Sequence, residues 1–316
     1  MAFVQILLFL ALGLFLRRFG VLAQRLLPIL IQTVLWVCIP ALALLKLPVL
    51  KLSLSTLFPA LLAWLIFAGA FVLSRFWFRQ RYMSQASATA LCLTMGLGNT
   101  SFVGFPLISA LLGSEALPPA LIMDQAGSFL ILGTWGLLCL AQAEQAAETQ
   151  PEQQKKSPPM ALEMVLKLLR FPPFLAFGTG LLMWATGLSL QGPWQHAAAF
   201  LAGGLAPLAL TAVGLQLDFQ PDPGLNRLLA LGLGYKLIVA PAWALLLCLG
   251  LGLPSELTRV CVLEAGMGPM ITSALMAAAA GLHPSLATRM VGLGVPLSLL
   301  SVPLWWGLLQ MLPFRA

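Results

Sequence analysis

Apolar runs long enough to cross a bilayer follow one another from one end of this chain to the other. A helical crossing takes ~20 predominantly apolar residues. Within hydrocarbon every backbone N–H and C=O must be satisfied internally, so the runs are read as helices. Sixty per cent of the 316 residues are hydrophobic and 9% are charged, with a mean hydropathy of +0.95. That lies far outside soluble usage and predicts a polytopic helical membrane protein with no room for a separate soluble domain. The cysteines Cys38, Cys92, Cys139, Cys248 and Cys261 stand singly in apolar surroundings, without metal or disulfide spacing. Residues 1–16 carry no positive charge before their apolar run, and Arg17 and Arg18 follow it. This is the reverse of a secretory signal, and it predicts a first helix inserted with its N-terminus outside.

Ten spans are expected, near 2–16, 22–45, 55–75, 86–112, 118–141, 168–190, 195–217, 227–252, 257–281 and 284–312. Between the fifth and sixth, 142–167 is rich in Glu, Gln, Lys and Pro and reads as a cytoplasmic linker. Twelve basic residues fall on connections after odd-numbered spans, and four (Lys46, Lys51, Arg259, Arg315) fall on the other side. Cytoplasmic loops carry the excess of Lys and Arg, which puts both termini outside. The net charge of +7 is therefore a membrane effect and gives no reason to expect nucleic acid. Five spans per half force the second half to enter in the opposite sense, as an inverted repeat. Matched prolines agree: Pro40 precedes Pro106 by 66 residues, and Pro207 precedes Pro269 by 62.

Two spans are interrupted, one in each half. The fourth reads Met95-Gly96-Leu97-Gly98-Asn99-Thr100-Ser101-Phe102-Val103-Gly104-Phe105-Pro106, and the ninth Leu263-Glu264-Ala265-Gly266-Met267-Gly268-Pro269. Non-helical backbone at membrane depth is tolerated only inside protein or beside water. Paired interruptions in corresponding positions of two halves point to a transport site. Each proline removes a bond to the carbonyl four residues back, so Phe102 and Ala265 are expected to offer carbonyls. Free amides are expected near Leu107 to Ser109 and near Met270 to Thr272. Half-helix starts attract anions and freed carbonyls attract cations, which suits an anion handled together with a small cation.

The candidate substrate residues are Asn99, Thr100, Ser101, Pro106, Gly268, Pro269 and Lys236. Glu264 lies at a depth where an ionised carboxylate is costly unless partnered. It is either a coupling-ion ligand or proton carrier, or a structural carboxylate paired with Lys236 or Arg289. Asp124, with Ser128 one turn later, is either a coupling residue or half of an ion pair. Lys236 could balance an anionic substrate, neutralise a carboxylate or snorkel to the surface. Trp305 and Trp306 are expected as interfacial anchors. No nucleophile constellation, phosphate loop or zinc motif is seen, so no enzyme and no resident cofactor is expected.

The run Gly98 to Leu107, the prolines of the second and seventh spans, Gly214-Leu215-Gln216-Leu217 and the proline-broken ninth span resemble the auxin efflux carrier family. The resemblance covers nearly the whole chain and implies the fold shared by bile acid:sodium symporters and sodium–proton antiporters. That fold is all-α, with ten helices in a 5+5 inverted repeat and crossing helices 4 and 9. It implies scaffold helices at 1–54 and 168–224 and transport-domain helices at 55–141 and 225–316. It also implies elevator-type movement, a bacterial inner-membrane location and a homodimer formed through the scaffold. The implied substrates are organic anions such as malonate, malate or an auxin-like acid. Glu264-Ala265-Gly266-Met267 looks more like the ninth span of bile acid:sodium symporters than that of plant auxin carriers. By that likeness Glu264, Ala265 and Met267 would hold a sodium ion, helped by Asn99, Thr100, Asp124 and Ser128. The expectation is an organic-anion transporter coupled to sodium or protons through Glu264. The alternative is an uncoupled, potential-driven exporter in which Glu264 is structural.

Overall fold

The computed structural model describes residues 2–50, 54–136, 138, 170–217 and 223–313. The expected linker at 142–167, Lys51 and Arg315 lie outside the described residues. The described chain is helical, and the one extended pairing in it is a bridge between Gly98 and Pro269. In chain order the helices are α1 (Ala2–Arg17), α2 (Gly20–Thr33), α3 (Ile39–Lys46), α4 (Leu54–Arg79), α5 (Gln85–Gly96), α6 (Phe105–Leu112) and α7 (Leu117–Ile122). They continue as α8 (Pro172–Ala185), α9 (Pro193–Gly203), α10 (Leu205–Gln216), α11 (Asn226–Gly234) and α12 (Ala240–Gly250). The last three are α13 (Ser255–Ala265), α14 (Ile271–Ala279) and α15 (Pro284–Met311). Among the described residues, six stretches are long and apolar enough to cross a membrane: Gly20–Lys46, Ser55–Arg79, Ser114–Gly136, Pro193–Gln216, Asn226–Gly250 and Pro284–Met311. Val4–Arg17, Thr100–Leu112 and Pro172–Ala185 are shorter apolar helices.

Prolines inside the spans are accommodated in a consistent way. Pro40, Pro106 and Pro241 each stand two residues after a five-residue π-helical turn: Val34–Cys38, Thr100–Gly104 and Tyr235–Val239. A proline ring collides with the carbonyl four residues back, and a widened turn moves that carbonyl out of the way. In hydrocarbon the freed group then needs a new partner. For Pro241 the carbonyl is that of Leu237, and the Trp305 indole donates to it at 2.9 Å. Trp305 therefore has a structural bond that its expected role as an interfacial anchor did not include. A further π turn at Met123–Phe129 exposes the Ala126 carbonyl, which accepts from the Trp64 indole at 3.1 Å.

Packing gathers the helices into two neighbourhoods. α1 lies along α10, and α3 packs against α8 and α9. α4 packs against α5 and the Met123–Phe129 turn, α12 against α13, and α15 against α14 and α5.

Candidate functional site

The breaks satisfy each other. The backbone N–H of Asn99 donates to the Gly268 carbonyl at 2.7 Å, and that of Met270 donates to the Leu97 carbonyl at 2.9 Å. Two short extended segments thus form one antiparallel bridge, Gly98 opposite Pro269. Groups that an isolated break would leave orphaned in hydrocarbon are paired, which is the condition for breaking a helix at this depth. A side chain at Gly268 would stand 2.8 Å from the Gly294 carbonyl and the Val295 Cα, so the crossing lies directly on the α15 backbone.

The first break is not where the proline suggested. The chain leaves α5 at Leu97, which is extended (φ −107°, ψ 126°), and turns again at Asn99. Pro106 sits farther on, in the first turn of α6. Gly98 and Asn99 set the break: the Asn99 Oδ1 accepts from the Phe102 amide at 3.3 Å and caps the new half-helix. The opening of this half-helix is therefore at Thr100 and Ser101, not at Leu107 to Ser109. In the second half α14 opens at Ile271, and the Met270 amide is already used in the crossing.

A cavity of about 90 Å³ opens beside the crossing. Its polar wall is Asn99, Thr100, Ser101, Asp124, Gln125 and Thr272. Leu35 and Ile39 of the Gly20–Lys46 helix face it, with Phe129, Phe171 and Pro173. The Phe129 and Phe171 rings stack 4.2 Å apart and join the two neighbourhoods there. Asp124 is 1% exposed and accepts three hydrogen bonds. They come from the Thr100 hydroxyl, from Ser101 Oγ at 2.5 Å and from Gln125 Nε2 at 2.6 Å. The carboxylate is satisfied by neutral donors, and it spends the hydroxyl protons of Thr100 and Ser101. Their lone pairs remain as acceptors. Two groups in the cavity wall have no hydrogen-bond partner, the donor Asn99 Nδ2 and the acceptor Gln125 Oε1. Buried polar atoms left in this state cost about 1–3 kcal/mol each, so a solute that pairs with them is favoured.

Glu264 lies apart from this cavity. It is fully buried, and neither carboxylate oxygen has a hydrogen-bond partner. The carboxyl rests on the backbone of Gly104, where an added Cβ would collide with both oxygens. Lys236 is 2% exposed and interacts electrostatically with Glu264. Its ammonium sits under the crossing, 2.8 Å from where a Gly98 Cβ would stand. Ala265 and Met267 are fully buried around the end of α13, and Ser128 is 4% exposed, one turn beyond Asp124. Of the residues expected from the sequence, Asn99, Thr100, Ser101 and Asp124 line the cavity. Pro106, Ser128, Lys236, Glu264, Ala265, Met267, Gly268 and Pro269 are not in its wall. Met270 to Thr272, where free amides were expected, are also in the wall, whereas Gln125, Phe129 and Phe171 are there without having been singled out. Gln125 stands next to the expected Asp124, and its neighbouring position was the one signal available.

A family model described as membrane transport protein, the auxin efflux carrier family, matches residues 1–306. The chain is also 26% identical, over 231 residues, to a protein of Methanothermobacter thermautotrophicus described as an uncharacterized transporter. The match covers 72% of this chain and 70% of that protein. A nearly full-length family match, on a helical membrane fold with paired broken helices, places the chain among the membrane transport proteins of the auxin efflux carrier family.

Proposed function

We propose that the protein is a secondary active transporter of a small organic anion, a carboxylate such as malonate, malate or an auxin-like acid. It is coupled to sodium or protons through Glu264. The observation that carries this reading is the crossing, which brings the starts of two half-helices to one cavity with an unpaired donor, Asn99 Nδ2. Half-helix N-termini favour anionic groups, and the α14 start at Ile271 and Thr272 lines the same space. A cavity of about 90 Å³ suits a compact solute, since drug-sized ligands occupy ~300–1,000 Å³. The apolar wall of Phe129, Phe171 and Leu35 supports a carbon skeleton over an inorganic ion.

Glu264 supports coupling. A carboxylate buried without hydrogen bonds is not carried in the ionised state at no cost. Lys236 offsets part of that cost through space, and binding a proton or sodium ion at the carboxylate relieves the rest. Sodium would find Glu264, the carbonyl groups near Ala265 and Met267, and Asn99 and Ser128 as its ligand candidates. The ten spans form a 5+5 inverted repeat with both termini outside. Helices near 1–54 and 168–224 form a scaffold and a dimer interface in a bacterial inner membrane. Helices near 55–141 and 225–316 slide against it as an elevator.

Purified protein in liposomes, offered a panel of labelled carboxylates under sodium, proton or electrical gradients, tests this reading. Uptake is expected to follow a sodium or proton gradient and to be lost in Glu264→Ala. Gradient-driven uptake that persists in Glu264→Ala rejects the coupling. In detergent, sodium is expected to raise the melting temperature relative to potassium if sodium is the coupling ion, because it binds the native state. The shift should be absent in Glu264→Ala.

A further inference from the structure

A second cleft, of about 510 Å³, opens among the ends of α4, α6, α7 and α13. Glu256, Leu257, Arg259 and Val260 of α13 line it, facing Leu112 of α6 and Glu115 of the following connection. Leu257, Val260 and Glu264 fall at helical positions i, i+3 and i+7 and share one face of α13. On the facing helix Gly104, Ile108 and Leu112 follow at intervals of four. At the outer level Val260 and Leu112 both line the cleft, and one turn farther along α13 the Glu264 carboxyl rests on Gly104. Val260 and Glu264 are four residues apart, one helical turn or about 6 Å along the axis. The layer between is apolar and closed: Ile108 is 0% and Val260 1% exposed. The cavity beside the crossing, by contrast, has no α13 residue in its wall.

We propose that this cleft is the path by which the coupling cation reaches Glu264, separate from the cavity that takes the organic anion. Val260 and Ile108 form the barrier that must part. The inference rests on Glu264 being the coupling group. Its physical basis is the carboxylate itself: both oxygens lack hydrogen-bond partners, and Lys236 acts on them only through space. A cation that binds those oxygens must exchange with water somewhere, and the cleft brings water to within one turn. The charges along the path are Glu256 and Arg259 at the mouth and Glu115, which is held by Lys46 at 2.6 Å. Asp124, Lys236 and Cys261 also act on Glu264 electrostatically. Arg259 stands over the Trp306 ring, 5.8 Å from its centroid, so its charge is drawn towards the α15 side of the mouth. In the proposed orientation the cleft faces away from the cytoplasm.

Sealed vesicles of both orientations, treated with a water-soluble cationic carbodiimide and read by mass spectrometry at Glu264, test the path without a known substrate. Labelling is expected from the cleft side and not from the opposite side. It should be slowed by sodium chloride relative to choline chloride, or by raised pH. It should be lost in Val260→Trp and in Leu112→Cys capped with a bulky maleimide after purification, which fills the cleft in protein already folded. Labelling from the opposite side only, or none from the cleft side, overturns the proposal. Labelling that responds to neither sodium nor pH sinks the coupling reading and the path together. A cation-sensitive rate left unchanged by filling the cleft sinks the path alone.

Discussion

At the scale of single residues, one sensitive contact is that between Gly104 and Glu264. A methyl group at position 104 meets both carboxylate oxygens, so Gly104→Ala forces the side chain or the helix aside. Overpacking of this kind costs about 1–3 kcal/mol, and the melting temperature should fall accordingly. Shortening the acid to Glu264→Asp withdraws the carboxyl and should recover part of the loss, as coupled neighbours do. Equal losses in both backgrounds would show that the two residues do not touch. Glu264 itself was legible in the sequence, because a carboxylate deep in an apolar run has few bland explanations. Its partner Gly104 was legible only as one glycine among several. Asp124 was an open question in the sequence: coupling residue or ion pair. The structure surrounds it with Thr100, Ser101 and Gln125 as donors, contacts that a span-by-span reading of the sequence does not show.

At the scale of elements, both prolines marked the right spans, but only the second marked the residue at the break. Pro106 lies in the first turn of α6 and is accommodated by a widened turn, while the chain breaks earlier, at Leu97 to Asn99. Pro269 lies in the crossing itself, opposite Gly98. The two should therefore differ in effect. Pro269→Ala is expected to reduce carboxylate uptake most, Pro106→Ala less, and Pro28→Ala, on an exposed face of α2, least. Equal impairment by all three would contradict a site built on the crossing. The same reasoning explains why the second break was the easier to place. There the glycines and the proline fall within four residues, whereas in the first they are spread over eleven.

At the scale of the whole molecule, one ion pair bridges parts that the elevator reading requires to move. Lys46 ends the Gly20–Lys46 helix, and Glu115 lies in the connection between α6 and α7. Glu115 is 88% exposed at its side chain, so the pair contributes about 0–1 kcal/mol and does not lock the protein. It does mark a distance that sliding must change. Joining Lys46→Cys and Glu115→Cys with a short bis-maleimide should stop transport, and either single variant treated alike should remain active. Undiminished transport in the joined protein would exclude relative motion at that end.

The sequence by itself determined the class of this protein, the approximate place of its helices and the two spans that are broken. Those follow from local physics: apolar length, the cost of unpaired backbone in hydrocarbon and the missing amide of proline. Only the tertiary structure decided that the breaks pair with each other through Asn99, Gly268, Leu97 and Met270. It also decided that Asn99 and Asp124 share a cavity with Phe171, while Glu264 turns away from it to rest on Gly104. No periodicity carries such information, because residues 99 and 268 meet only when two helices from different halves of the chain cross. Which buried polar atoms are left without partners depends on that crossing, and the unpaired atoms of Asn99, Gln125 and Glu264 are where its chemistry is open.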